Sequence, residues 1–334
     1  MGRYIVRRFL WMLLVLFFVS LITFSLQHAV PGGPFDREKR LPPEIIANLE
    51  NKYRLNDPLP KQYVDYMADI LIPRITTKNE VPSLLTDAMI KIDIGDVRLK
   101  WMNWGPSYAS RSRTVNDIFK AQLPVSAQLG LLAMLVALLI GIPMGILAAL
   151  RQNTVLDYLG MSVAIFGVSV PVIVLGPILI WIFAVTLGWF PATGWGTAKQ
   201  AVMPAVALGL ASSALIARLT RASLLQVIRE DYIRTARAKG LAERMVIIGH
   251  ALKNSMIPVV TILGPMFAAL TTGTFITEQI FGIPGMGKHF ITSIGNRDYP
   301  VIMGTTLLYS IFLVAANLVV DITYAWLDPR IRYS

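Results

Sequence analysis

One segment of the chain comes close to a phosphate-binding loop. Residues 282–289 read Gly-Ile-Pro-Gly-Met-Gly-Lys-His, whereas the nucleotide-binding motif Gly-x4-Gly-Lys ends in Ser or Thr. The last position here is His289, so the hydroxyl that would bind magnesium is missing, and no apolar strand precedes the segment. Its Gly and Pro residues favour a turn instead. We therefore expect no nucleotide site at these residues, and no other stretch of the sequence offers one.

Other reactive side chains are scarce. The chain contains no cysteine, which excludes disulfides, thiolate metal sites and cysteine nucleophiles. Its three histidines, at positions 28, 250 and 289, are too scattered for a local metal-binding motif. We predict no catalytic residues, no metal site and no cofactor bound by this chain.

Two carboxylates stand in apolar surroundings. Asp321 lies in the last apolar segment, where a carboxylate is by default a functional candidate. It is less than two turns from the predicted inner boundary, so we favour packing or pairing with a basic residue over a role with substrate or protons. Glu278 either faces the entrance of a pathway or is an interfacial residue. Both remain candidate pathway residues.

The apolar composition of the chain indicates that lipid covers much of its surface. Of its 334 residues 54% are hydrophobic, only 15% are charged, against about 25% in soluble domains, and the mean hydropathy is +0.57. A spanning helix needs about 20 apolar residues. The six candidate segments are Phe9 to Val30, Leu123 to Leu150, Tyr158 to Leu187, Ala201 to Ala217, Ile257 to Phe281 and Val301 to Leu327. We expect an all-α integral membrane protein with six transmembrane helices.

Two details concern individual helices. Pro143, Pro171 and Pro177 are expected to kink the helices that contain them. Basic residues precede the first apolar segment, as they do in a signal peptide. The apolar segment is longer than that of a signal peptide, however, and no Ala-x-Ala cleavage site follows it. We therefore expect a retained helix.

The basic residues predict the orientation of the chain. A net charge of +11 would indicate nucleic acid in a soluble protein, but in a membrane protein its location decides, and we expect no nucleic acid partner. With the N-terminus inside, the two short outer loops hold Lys199, Lys288 and Arg297. The inner pieces hold Arg3, Arg7, Arg8, Arg151, Arg218, Arg221, Arg229, Arg234, Arg237, Lys239, Arg244, Lys253, Arg330 and Arg332. Both termini are therefore predicted to be cytoplasmic.

The apolar segments and their predicted orientation divide the chain into three parts. These are the N-terminal tail with the first helix at residues 1–30, an extracytoplasmic segment 31–122, and a five-helix part 123–334. Within the extracytoplasmic segment we predict helices from Pro43 to Tyr53 and from Gln62 to Leu71, while residues 72–113 show no clean period.

The loop 219–256, on the inner side, carries two short helical patterns separated by Gly240. The first runs from Asp231 to Lys239, and Gly240 fits a helix end with φ > 0. The second places Leu241, Met245, Ile248 and Leu252 on one face. The residues alone leave two alternatives open, a basic helix on anionic lipid and a docking site for a cytosolic partner.

Several pieces of the sequence resemble one family. Asp231-Tyr-Ile-Arg-Thr-Ala-Arg-Ala-Lys-Gly240, His250-Ala-Leu-Lys-Asn254 and Ile257-Pro258 look like the coupling loop of ABC-importer permeases, in the dipeptide and oligopeptide branch. Further matching pieces are Pro31-Gly-Gly-Pro34, Leu55-Asn-Asp-Pro58, Leu123-Pro124, Leu187-Gly-Trp-Phe-Pro191, Pro284-Gly-Met-Gly287, Arg297-Asp-Tyr-Pro300 and Leu327-Asp-Pro-Arg-Ile-Arg-Tyr333. The resemblance covers nearly the whole chain.

The chain departs from the general permease pattern in the loop. Arg234-Thr235-Ala236 stands where Glu-Ala-Ala is usual, and Pro258 lies further from Gly240, as in the peptide branch. The segment outside is also longer than that branch usually shows, with the excess between residues 72 and 104.

The resemblance implies the fold of a type I ABC importer permease in the cytoplasmic membrane of a prokaryote, acting in peptide uptake by alternating access. Implied partners are a homologous second permease, two ATPase subunits that bind ATP and Mg²⁺, an extracytoplasmic substrate-binding protein and membrane lipid. Residues implied to couple the ATPases are Asp231, Tyr232, Thr235, Ala236, Ala238, Lys239, Gly240, His250, Asn254 and Pro258, with Ala236 facing the ATPase groove.

The sequence leaves other transport functions open. Importers of nickel, glutathione and some sugars share the features by which this chain resembles the peptide branch. An ion-coupled secondary transporter would need carboxylates near the membrane midplane and paired broken helices, and only the off-centre Asp321 is available. A membrane enzyme is disfavoured because no catalytic cluster is present.

Overall fold

Helices form most of the structure. The computed structural model describes residues 2–35, 42–77, 83–110 and 112–327. The helices are α1 (Gly2–Ala29), α2 (Pro43–Tyr53), α3 (Leu59–Leu71), α4 (Val115–Leu150), α5 (Val155–Ser169), α6 (Val172–Leu179), α7 (Ala198–Val227), α8 (Asp231–Ala238), α9 (Glu243–Met245), α10 (Leu252–Ser255), α11 (Ile257–Thr271), α12 (Phe275–Ile280), α13 (Gly287–Gly295) and α14 (Tyr299–Leu327), with π-helical segments at Ile180–Thr186 and Val246–Ala251. The predicted helical membrane fold is confirmed. The chain after Leu327, which includes Arg330 and Arg332, lies outside the described residues.

Four of the described helices are long and apolar enough to cross a membrane. They are Val6–Ala29, Val115–Leu150, Ala198–Val227 and Tyr299–Thr323. A fifth span results if Glu243–Ser255 and Ile257–Thr271, which meet at 51°, count as one. In α1 only 11% of the most apolar window is buried, so most of its apolar surface is available to lipid. The predicted count of six and the predicted orientation of the termini stay predictions.

The third predicted span is interrupted. Pro171 has extended backbone angles (φ −58°, ψ 144°) and separates α5 from α6. Pro177 lies inside α6, and the backbone changes to a π-helix at Ile180–Thr186, three residues further on. Proline removes a backbone donor and crowds the preceding turn, which explains why this apolar stretch is divided into shorter pieces.

The segment after α1 contains the two predicted helices and a small sheet. Proline at the first turn starts both α2 and α3, where its missing N–H has no intrahelical partner to lose. Strands β1 (Arg74–Thr77), β2 (Ile90–Ile94) and β3 (Val97–Trp101) form an antiparallel sheet in the order β1-β3-β2. This sheet is absent from the predicted elements, although Ile-Lys-Ile-Asp-Ile, Gly-Asp and Val-Arg-Leu-Lys-Trp form the alternating pattern of a hairpin.

The chain divides into two compact units. One holds residues 125–285 with the chain before residue 9 and after residue 311, and the other holds residues 9–124 and 286–311. The first unit has a core that includes Leu129, Met203, Leu270 and Phe281. The predicted division at residues 30 and 122 stays a prediction about topology.

Small residues bring α4 and α7 into backbone contact within the first unit. A Cβ added at Gly141 would lie 2.7 Å from the carbonyl oxygen of Ser213, and one at Gly145 would lie 2.6 Å from that of Ala217. From the other side, a Cβ at Gly209 would lie 2.6 Å from Cβ of Val136. Gly141 and Gly145, one helical turn apart in α4, therefore allow the two helices to pack closely.

A partly buried ion pair joins α5 to α7. The Arg221 guanidinium donates two hydrogen bonds to the Asp157 carboxylate, both at 2.7 Å. The Asp157 side chain is only 3% exposed, so this bidentate contact neutralises a carboxylate that would otherwise be buried alone.

Candidate functional site

Residues 231–255 form a helical hairpin, here called the α8–α10 hairpin, in which Gly240 makes the turn. Helix α8 ends at Ala238, and the Gly240 N–H donates to the carbonyl oxygen of Arg237 at 3.0 Å. Gly240 has φ +78°, in the left-handed region that favours glycine. The predicted helix end at this residue is confirmed.

Helix α8 buries one narrow face in the chain's own core. Ile233 is fully buried and Ala236 is 7% exposed, and both belong to a cluster with Leu224, Val246 and Ala251. This burial argues against the expectation that Ala236 faces an ATPase groove, and that contact stays an untested prediction. In a helix whose other residues are mostly polar, the i, i+3 pair of apolar residues packs inward.

The opposite side of α8 is exposed and polar. It carries five of the residues predicted to couple ATPases: Asp231, Tyr232, Thr235, Ala238 and Lys239. The Thr235 hydroxyl donates to the carbonyl oxygen of Asp231 at 2.9 Å, so its donor is used locally. This side also presents the Tyr232 phenol, the Lys239 ammonium group and the Asp231 carboxylate, which lies 3.4 Å from the Arg234 guanidinium. These groups suit a polar protein partner.

A hydrogen bond joins the two arms of the hairpin. The Asn254 side-chain amide donates to the Tyr232 hydroxyl at 2.8 Å. The structure thus brings together two predicted site residues from the two helical patterns. His250 is exposed on the second arm, and Pro258 occupies the first turn of α11, beyond the bend at Met256.

An ion pair braces the hairpin at its turn. The Arg237 guanidinium donates to both oxygens of the Glu243 carboxylate, at 2.7 and 3.1 Å. These hydrogen bonds lower the pKa of Glu243 below its usual range. Neither residue is among the predicted site residues. The sequence signal for this ion pair is a basic residue three positions before Gly240 and an acidic residue three positions after it.

The second arm packs through a different face from the predicted one. Met245 is 57% exposed and Ile248 is 56% exposed, whereas Val246, Ile247 and Ala251 are buried. The backbone is π-helical from Val246 to Ala251, so the 3.6-residue period used for the prediction does not apply there. Two large apolar side chains are therefore left on the hairpin surface.

The two candidate pathway carboxylates are both engaged within the chain. Asp321 lies 2.8 Å from the Arg8 guanidinium, which confirms the favoured pairing with a basic residue near the helix end. Glu278 is 3% exposed and accepts hydrogen bonds from the Ser126 hydroxyl at 2.8 Å and the Thr274 N–H at 3.2 Å. This burial argues against the interfacial alternative for Glu278, and its pathway role stays a prediction.

Residues 282–289 resemble a phosphate-binding loop. Residues 281–286 connect α12 to α13, and Gly287 begins α13. Gly282 has φ +61°, and the Ile283 N–H donates to the carbonyl oxygen of Glu278 at 2.8 Å. The predicted turn is confirmed.

Comparison with known proteins decides the family. The family described as "Binding-protein-dependent transport system inner membrane component" matches residues 141–333, more than half of the chain. The chain belongs to this family. The family's N-terminal component matches residues 1–85 of this permease. The permease is accordingly a multi-pass protein of the inner membrane.

Curated relatives match the permease from end to end. The dipeptide transport system permease protein of Bacillus subtilis (strain 168) is 41% identical over 332 residues, which cover 99% of this chain and 98% of the relative. The oligopeptide transport system permease protein of Salmonella typhimurium (strain LT2) is 41% identical over 335 residues, covering all of both chains. Among solved structures, an inward-facing MetNI methionine ABC transporter has a TM-score of 0.50 at 17% identity, over 61% of this chain and 95% of that chain. That likeness concerns the fold alone.

Proposed function

We propose that this permease imports short peptides in an ATP-driven transporter, where it forms the translocation pathway with a homologous second permease. An extracytoplasmic binding protein delivers the peptide, and two ATPase subunits bind ATP and Mg²⁺. The observation that carries the proposal is the 41% identity, over at least 98% of both chains, with permeases named for dipeptide and oligopeptide transport.

The exposed side of the α8–α10 hairpin is the proposed contact for an ATPase subunit. The bond between Tyr232 and Asn254 and the ion pair between Arg237 and Glu243 hold its two arms together. A force on either arm therefore moves both. The buried side of the hairpin packs against Leu224 of α7, so the movement reaches a membrane-spanning helix.

The roles proposed for individual residues follow from their exposure. Tyr232, Thr235, Lys239 and His250 contact the partner, while Gly240 and Asn254 maintain the shape of the hairpin. Asp231 and Ala238 border the contact, and Pro258 starts the helix that receives the movement. Ala236 contributes only through packing.

The test is uptake into proteoliposomes that contain both permeases, the ATPase subunits and the binding protein. We expect ATP-dependent accumulation of a labelled dipeptide, with no accumulation of nickel ions, glutathione or maltose. Uptake of one of those three in place of the dipeptide would overturn the cargo class. Dipeptide uptake that needs a proton gradient and no ATP would instead identify an ion-coupled secondary transporter.

A further inference from the structure

A cavity lies in the second compact unit, between the end of α1, helices α2 and α3, and the start of α14. Its volume is about 430 Å³, and all the residues that line it belong to that unit. Ligand pockets in proteins commonly measure about 300–1,000 Å³. The cavity is therefore large enough for a small organic molecule.

Aromatic rings form much of the wall. The Phe24 and His28 rings lie 4.2 Å apart between centroids, and those of His28 and Tyr299 lie 4.9 Å apart. On another side, the rings of Tyr53 and Tyr108 lie 4.7 Å apart. All five residues line the cavity. Such walls bind an apolar side chain and leave its polar ends to other groups.

Three buried polar atoms at the cavity have no hydrogen-bond partner among the described protein atoms. They are Oε1 of Gln27, the hydroxyl oxygen of Tyr66 and the hydroxyl oxygen of Thr86. Burial raises the pKa of Tyr66 far above its usual range, so the phenol keeps its proton and can donate it in a hydrogen bond. Buried polar groups in native proteins nearly always have partners. Three such groups around one cavity therefore point to a polar ligand.

The charged residues at the cavity are of both signs. Two of the carboxylates are already used, since Asp57 pairs with Lys61 and Asp69 pairs with Arg74. Asp65 and Arg54 also line the cavity, and within the described ranges neither forms an ion pair. Lys52 also lines the cavity, and its ammonium group lies over the Tyr53 ring, 5.3 Å from the centroid. The Asp65 carboxylate and the Arg54 guanidinium thus remain for the opposite charges of a ligand.

We propose that this cavity binds a small zwitterion with an apolar side chain, of the size of an amino acid or a dipeptide. Its ammonium group pairs with Asp65, its carboxylate pairs with Arg54, and its apolar side chain packs on the aromatic wall. The hydroxyl of Tyr66 and the amide oxygen of Gln27 bind the polar backbone of the ligand. This site is additional to the translocation pathway, and it does not depend on the cargo proposed above.

The experiment measures binding of tritiated Ala-Phe to the full transporter in lipid nanodiscs, without binding protein or ATP. We expect saturable binding, and Ala-Phe capped at both ends should compete about tenfold less well because it has no charges. Asp65→Asn should weaken binding about tenfold, and Tyr66→Phe should weaken it severalfold. Asp93→Asn, in the same segment but away from the cavity, should leave binding unchanged.

Each outcome bears on the proposal. Tyr66→Phe removes only an oxygen that has no protein partner, so its melting temperature should equal that of the wild type and misfolding cannot explain lost binding. Absence of saturable binding would overturn the proposal, as would saturable binding that both cavity variants retain. ATP-dependent peptide uptake by the same preparation, after addition of the binding protein, tests the proposed function separately.

Discussion

The Asp298 carboxylate accepts a hydrogen bond from the backbone N–H of Tyr108 at 2.9 Å, although the two residues are 190 positions apart in the chain. The same carboxylate accepts from the Ala109 N–H at 3.1 Å and from the Ser107 hydroxyl. Asp298 is 3% exposed. One buried side chain thus fixes the loop before α4 to the start of α14.

Replacing Asp298 should loosen this loop. Asp298→Ala leaves two partly buried N–H groups and a buried hydroxyl without their acceptor, and we expect a loss of about 3 kcal/mol in the free energy of unfolding. Thermal unfolding in detergent measures the loss, and limited proteolysis should show new cleavage near Tyr108. Asp96→Ala, in the exposed β2–β3 turn, is the control. An unchanged melting temperature for Asp298→Ala would contradict the assigned anchoring role.

The ion pair between Asp157 and Arg221 should behave as a unit. Asp157→Asn leaves the guanidinium without its counter-charge and should cost about 3 kcal/mol of stability. The double variant Asp157→Leu with Arg221→Met should recover most of that loss, because no buried charge remains. A double-mutant cycle with Asp157→Leu and Arg221→Met as the two single variants measures the coupling from thermal unfolding. Strictly additive effects would show that the two side chains do not interact.

Two glycines of the hairpin provide a matched comparison of backbone strain. A Cβ added at Gly240 or at Gly249 would meet no atom within 4 Å, but only Gly240 has a positive φ. Gly240→Ala should therefore cost about 1–2 kcal/mol locally, whereas Gly249→Ala should be tolerated. We expect Gly240→Ala to lower peptide uptake per ATP hydrolysed, at an unchanged level of protein in the membrane. Equal coupling in the two variants would remove Gly240 from the coupling element.

The pair between Arg8 and Asp321 should matter for stability more than for transport. The Arg8 side chain is 49% exposed, so the pair is partly screened, and Asp321→Asn should cost about 1 kcal/mol or less. Uptake at saturating peptide should stay near the wild-type rate. Loss of uptake in an assembled, thermally stable Asp321→Asn transporter would instead assign this carboxylate to the pathway or to coupling.

Reporter fusions test the predicted orientation. Fusions at Asn153 and Ala242 should give cytoplasmic signals, and fusions at Asp96 and Asn296 should give external signals, because basic residues are concentrated in the inner loops. A cytoplasmic signal at Asp96 would invert the placement of the segment after α1. The amount of each fusion protein, measured by immunoblot, is the control for expression.

Local features of the structure could be predicted from the sequence, because short-range chemistry determines them. The bounds of α2 and the positive φ of Gly240 follow from proline at a helix start and glycine at a helix end. The burial of Glu278 beside Ser126 could not be predicted, since the two residues are 152 positions apart. The burial of Ala236 and the change to π-helix after Met245 also depend on packing between segments, so the sequence does not predict them.

The close approach of α4 and α7 limits how the first unit can change shape. Sliding one helix along the other by a residue would bring a side chain into the space now left by Gly141, Gly145 or Gly209. Neither water nor a lipid chain fits between backbones at that separation. The two helices must therefore travel as a single body, and bending is left to the places where the helical path already breaks, such as Pro171 and the 51° angle beside Met256.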